Sequence, residues 1–191
     1  MPLPLGHAAI GLTTYELSTN RSAFKNWYRL AMITFLANLP DIDVVIGLFL
    51  RSDGNAFHRG PTHSLLFALV MALVVWAINK RWPKIPRISY GYAFLIILSH
   101  VCADAWLTQS RVSFFWPFEI NWSSGHASFA DVVQMVVFES IRDGWIVLAC
   151  GLILIIRRRF FKSRRWTKEQ FKFPIAVMSL LRIRSRQNRR D

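Results

Sequence analysis

Seven residues of this chain have the chemistry of metal ligands: His7, Asp41, Asp43, His58, His63, His100 and Asp104. Neutral imidazole and carboxylate suit zinc and related divalent ions. A bound divalent ion lowers the pKa of its water to about 7 and so makes a nucleophile at neutral pH. A pair of ions can also clamp both oxygens of a phosphoester displacement. Seven donors exceed what one tetrahedral ion takes, so the set predicts two or more divalent ions, zinc first among them. Asp41, His63 and Asp104 are the candidate catalytic residues. Arg59 and Arg111 are candidates for a substrate phosphate, because guanidinium pairs with phosphate in two-pronged fashion.

Each residue also has a plainer reading. Asp104 could pair with Arg111, and Asp41 with Arg59. A proton or ion path through a transporter would use the same residue types. His63 alone reads as a residue at a helix start, and His126 in Gly125-His126-Ala127-Ser128 as a solvated loop histidine. Glu139 and Asp143 read as interfacial charges. Company decides in favour of metal. A charged Asp at membrane depth costs about 2.5–3.5 kcal/mol on insertion scales, so ionisable residues in apolar segments are functional candidates by default.

The segments that carry these residues are apolar. The chain has 191 residues, 53% of them hydrophobic, with eight Trp. The apolar residues are bunched in Leu65–Asn79, Tyr90–Trp106 and Trp145–Ile156. A membrane helix needs about 20 largely apolar residues. The first two runs approach this with their flanks, and the third needs Val132–Phe138 ahead of it. The opening residues lack the basic start and unbroken apolar core of a secretory signal. Cys102 and Cys150 lie within apolar runs, without metal-ligand spacing.

These runs predict an all-α, polytopic membrane helical bundle with a short re-entrant or broken segment. Helices are expected at Gly6–Ser18 and Trp27–Asn38, the second stopped by Pro40. Val44–Leu50 is too short to cross. Arg51–Pro61 reads as a polar loop and Thr62 as the N-cap of the next helix. Further helices are expected to Asn79, over Ser89–Gln109, and from Val132 to the Arg157–Arg159 cluster. Arg111 would share the stripe of His100 and Asp104 if its helix ran that far. Two domains follow: a membrane-embedded domain at 1–160 and a basic cytoplasmic tail at 161–191.

Net charge is +13, and thirteen of the 24 Lys and Arg lie from Arg157 onward. A polybasic segment beside a membrane helix faces anionic lipid on the cytoplasmic side. This placement favours membrane lipid over nucleic acid as the partner. With the tail, Lys80–Arg87 and Arg21–Arg29 inside, only Arg51, Arg59, Arg111 and Arg142 stay outside. The seven candidate ligands, from five segments, then meet at one depth near the outer leaflet.

The motifs Leu39-Pro40-Asp41-Ile42-Asp43, His58-Arg59-Gly60-Pro61-Thr62-His63-Ser64, His100 with Asp104, and Trp116-Pro117-Phe118 together resemble the YdjM-like family. The likeness covers about residues 1–140, His7 included. It implies a LexA-binding, metal-dependent hydrolase associated with the bacterial inner membrane. LexA as a partner comes from that family description alone. A more distant similarity to zinc-dependent phospholipase C implies an α-helical multi-zinc site acting on phosphoesters. Ser110 stands in a stretch that usually carries glycine in such proteins. The reading is a membrane-bound metal-dependent hydrolase with metal-activated water as nucleophile, acting on a phosphoester, including one in a phosphorylated lipid. The alternative is a non-enzymatic transporter or binding platform using the same intramembrane His and Asp residues.

Overall fold

The computed structural model describes residues 3–19, 22–82, 85–107, 111–121, 125–138 and 143–160. Ser110, Glu139, Arg142 and the basic tail from 161 lie outside them. The described chain is helical, with no strand among the described residues. Its helices are α1 (Pro4–Ser18), α2 (Trp27–Ala37), α3 (Ile42–Arg51), α4 (Leu65–Arg81), α5 (Tyr90–Leu107) and α6 (Phe129–Phe138). Short 3-10 turns at Leu39–Asp41 and Pro61–His63 carry site residues. The chain divides into a compact unit, Met1–Leu152, and a second unit from Ile153. Residues 144–152 end the first unit as helix, and residues 153–160 of the second are helical.

Small residues let the helices of the first unit approach closely. Gly11 on α1 sits so near α2 that a Cβ there would lie 2.5 Å from the Ala37 methyl. His7 is one turn earlier on the same face, so this approach carries it to the end of α2. Ala68 and Ala72 of α4 and Ala93 of α5 are fully buried, as expected where helix backbones come close. Ile33, Leu36, Val75, Ile96 and Ile97 fill the space between them. The outer surface is apolar as well: Trp106 is 91% exposed and Phe118 96% exposed. Many other large apolar side chains are exposed too, among them Phe49 at 86% and Trp145 at 81%.

Pro40 ends α2 as expected, and α3 leaves at 57° to it. α3 is longer than the sequence suggested, running Ile42–Arg51. Among the described residues one helix, α5, is long and apolar enough to cross a membrane, or up to two such spans if α2 and α3 are counted as one broken span. The multi-span bundle expected from the sequence therefore rests on more crossings than the described helices supply by length and composition.

Two local assignments change. Ser64, not Thr62, caps α4: its hydroxyl accepts from the Phe67 amide at 3.0 Å. His63 closes the turn before that helix and does not begin it. Thr62 turns inward instead, and its hydroxyl donates to Asp43 Oδ2. Serine and threonine both serve as N-caps, serine somewhat better. The backbone decides, since Pro61 opens a turn that delays the helix by two residues.

Candidate metal centre

All seven predicted ligands meet in one buried cluster. Asp41 and Asp43 stand at the break between α2 and α3, where irregular backbone is tolerated only when packed in protein. His58 and His63 come from the chain between α3 and α4. His100 and Asp104 lie one turn apart on α5, and His7 reaches in from α1. Six of the seven side chains are nearly inaccessible, while the Asp41 side chain is 20% exposed and forms the open edge.

Four donors define the centre. His63 Nε2 lies 3.3 Å from His100 Nε2, 3.5 Å from Asp41 Oδ1 and 3.4 Å from Asp104 Oδ2. His100 Nε2 is 3.4 Å from the same Asp41 oxygen. Donors held at about 2.0–2.2 Å around one tetrahedral ion stand about 3.3–3.6 Å apart. These four separations fall in that range, and one donor atom from each of the four residues lies within 4.8 Å of the others. His7 Nε2 adds a fifth donor 3.4 Å from Asp104 Oδ1, and its ring stacks on His100 with centroids 3.6 Å apart.

The imidazoles are oriented by their far nitrogens. His100 Nδ1 donates to the carbonyl of Ala37 at 2.7 Å. Ala37 is the last residue of α2, and carbonyls in the last turn of a helix have no partner within it. His63 Nδ1 faces Asp43 Oδ2 at 3.1 Å. Both rings thus turn a lone pair on Nε2 toward the centre, where two lone pairs 3.3 Å apart need a cation or proton between them. Burial works to lower the pKa of His63, but hydrogen bonds to Asp104, Asp41 and Asp43 outweigh it and hold the ring well above its ordinary value. Asp41 Oδ1, buried and without a hydrogen-bond partner, carries the same demand for positive charge.

A second donor group, Asp43, His58 and His63, shares His63 through its other nitrogen. Asp43 Oδ1 pairs with His58 Nδ1 at 3.1 Å, and Asp43 Oδ2 accepts from the Arg59 amide at 3.3 Å. His58 Nε2 is buried without a hydrogen-bond partner.

The two arginines part company. Arg59 is buried, with Nε 3.9 Å from Asp104 Oδ2, so it balances Asp104 and not Asp41. Its backbone is left-handed, at φ +67°, an uncommon conformation for a residue with a side chain. The segment before Trp116-Pro117-Phe118 holds it there: Ser113 donates its amide to the Arg59 carbonyl, and Leu65 donates to Phe114. Arg111 is exposed and itself non-helical, so the stripe shared with His100 and Asp104 does not extend to it. His126 is a solvated loop residue, its side chain 64% exposed and 3.2 Å from Asp53. Asp53 accepts the amides of Ala127 and Asn55, which hold its carboxyl below the usual range and clip the loop after α3 to the chain before α6.

Asp143, read from the sequence as an interfacial charge, is instead buried and caps α1. Its carboxylate, buried, accepts the amide of Leu3 at 2.9 Å and that of Gly6 at 2.7 Å. These are free amides of the first turn of α1, which has no side-chain cap of its own. A carboxylate there also meets the positive end of the helix dipole. Asp143 thereby fixes the turn that presents His7. Asp143→Ala is expected to destabilise the protein by about 1.5–3 kcal/mol, the range for a buried hydrogen bond to a charged group. Denaturation in detergent measures it, and a stability equal to wild type would remove the capping role. No single-sequence signal links residues 140 positions apart.

The fold and cluster define the class: a helical protein with a buried His and Asp centre of metal-ligand type. The description "YdjM inner membrane protein" matches residues 1–181, so the chain belongs to the YdjM inner membrane protein family. The match runs past residue 140 and takes in much of the basic tail, which the sequence motifs alone had left outside. The inner membrane protein YbcI of Escherichia coli (strain K12) is 40% identical over 85 residues, 43% of this chain and 49% of that protein. The matched region thus spans about half the length of that relative. No solved structure shows a significant match.

Proposed function

We propose that this chain is a membrane-bound, metal-dependent hydrolase of phosphoesters, with the phosphorylated headgroup of a lipid as the substrate class. The observation that carries the reading is the set of 3.3–3.5 Å separations among His63 Nε2, His100 Nε2, Asp41 Oδ1 and Asp104 Oδ2. Those four residues would hold a divalent ion of zinc's size, with His7 beside them. Such an ion supplies water whose pKa is lowered to about 7 and neutralises charge on a phosphoryl oxygen. The chain's residues do the rest. Asp41, at the open edge, is placed to take a proton from attacking water. His63 is held by Asp43, and Arg59 offsets the charge of Asp104. A second ion in the group of Asp43, His58 and His63 would require His63 to give up its ring proton as well.

The multi-pass topology, with the basic loops and C-terminus cytoplasmic and the centre toward the outer leaflet, belongs to the same proposal. Elemental analysis of full-length protein purified without chelator, with a chromogenic phosphodiester assay in detergent, tests it. We expect stoichiometric divalent metal and hydrolysis abolished by chelator and restored by zinc. Metal-free, inactive protein would end the reading. Solute flux in liposomes that depends on Asp104 but ignores chelator would move the function to transport.

A further inference from the structure

A second feature lies at the other end of the same helices. A cavity of about 690 Å³ opens between the end of α1, the end of α4 and the start of α5. This volume falls within the range of small-molecule sites. Its lining includes Lys80 and Arg87, both exposed, with Trp76, Tyr92, Asn79 and Ser89. Along α5, eight residues separate Tyr92 from His100, about 12 Å of helix rise. Eight also separate Tyr15, another lining residue, from His7 on α1. The cavity is therefore distinct from the metal centre and shares no residue with it.

Its chemistry is specific. Lys80 Nζ lies 5.4 Å from the centroid of the Trp76 ring, which holds the ammonium at the rim. Arg87 supplies a second positive charge from the chain before α5. Tyr15 and Tyr92 meet edge to face at 6.0 Å and give an aromatic wall. Asn79 is buried, its amide donating to the Ile88 carbonyl at 2.7 Å, while its Oδ1 has no hydrogen-bond partner. The neighbouring acid, Glu16, is engaged with the Ser22 hydroxyl and the Ala23 amide and does not line the cavity. A ligand matching these groups carries a phosphate for the two cations and a hydroxyl for the exposed Ser89 side chain. It also carries apolar substance for the aromatic wall.

We infer that this cavity binds the phosphate-bearing headgroup of an acidic, hydroxylated glycerophospholipid from the leaflet on the basic side of the protein. Basic pockets between membrane helices on that side are suited to such headgroups. The inference stands on this cavity alone and does not depend on the metal centre.

Native mass spectrometry of the full-length protein in detergent, titrated with phosphatidylglycerol or phosphatidylcholine, tests it. We expect one phosphatidylglycerol bound with a preference of about tenfold or more, lost in the double variant Lys80→Gln/Arg87→Gln. The charge-matched variant Arg189→Gln/Arg190→Gln should keep the preference, which separates the cavity from general attraction to the tail. Inorganic phosphate is the second arm. Lipid binding that resists millimolar phosphate supports a lipid source, and phosphate binding lost in the Lys80 and Arg87 variant without lipid preference supports a soluble phosphoester in the same site. Wild-type behaviour of the Lys80 and Arg87 variant in both arms, or equal losses in the two double variants, overturns the inference.

Discussion

Asp104→Asn is expected to reduce the metal content of the purified protein to less than about a tenth of wild type while preserving its helical content. Asp104 is fully buried and has His7, His63 and Arg59 among its partners. The amide keeps the size of the carboxylate but removes its charge, and the cluster then offers an ion one anionic donor fewer. Asp104→Ala goes further, because it also removes the buried polar atoms and side-chain volume that His7, His63 and Arg59 pack against. The two variants therefore separate loss of metal from loss of fold. Elemental analysis with thermal unfolding reads both, and full metal occupancy in a folded Asp104→Asn protein would exclude Asp104 as a ligand.

Much of this centre was legible in the sequence because its signals are local. Spacing of four put His100 and Asp104 on one face, and Pro40 marked the break that carries Asp41 and Asp43. Charge bias along the chain, together with apolar runs, placed all seven residues at one level. What escaped depends on tertiary contact. Asp143 caps a helix that begins at the far end of the chain. The choice between Thr62 and Ser64 as cap turned on a 3-10 turn with no distinctive composition. The sequence offered Asp41 as the partner of Arg59, whereas the fold, with Arg59 in a left-handed backbone held by Ser113, brings it to Asp104. Arg111 was assigned to a stripe by continuing α5 as far as that residue, which itself stands on non-helical chain. The cavity at Lys80 and Arg87 was hidden for a related reason: its basic residues had already served to orient the chain, and nothing local reveals that they border a hollow.

Asp43→Asn should give a different outcome from Asp104→Asn, although the two carboxylates are similarly buried. Asp43 faces His63 Nδ1, the nitrogen turned away from the four-donor centre. It also gathers His58 Nδ1, the Thr62 hydroxyl and the Arg59 amide. If its task is to hold the ring of His63, the variant retains every donor to the central ion and loses only the partner that fixes their orientation. Removing such a partner typically costs 10–100-fold in metal affinity. We therefore expect Asp43→Asn to weaken zinc binding by about that factor in competition with a chelator, with wild-type stoichiometry at saturation. The cobalt-substituted protein should keep the absorption spectrum of the wild-type coordination set. A ligand of a second ion would behave otherwise: stoichiometry would fall by one ion per chain, and the cobalt spectrum would lose the contribution of a whole site. Affinity unchanged from wild type would deny Asp43 either role and leave its four contacts as packing of the loop between α3 and α4.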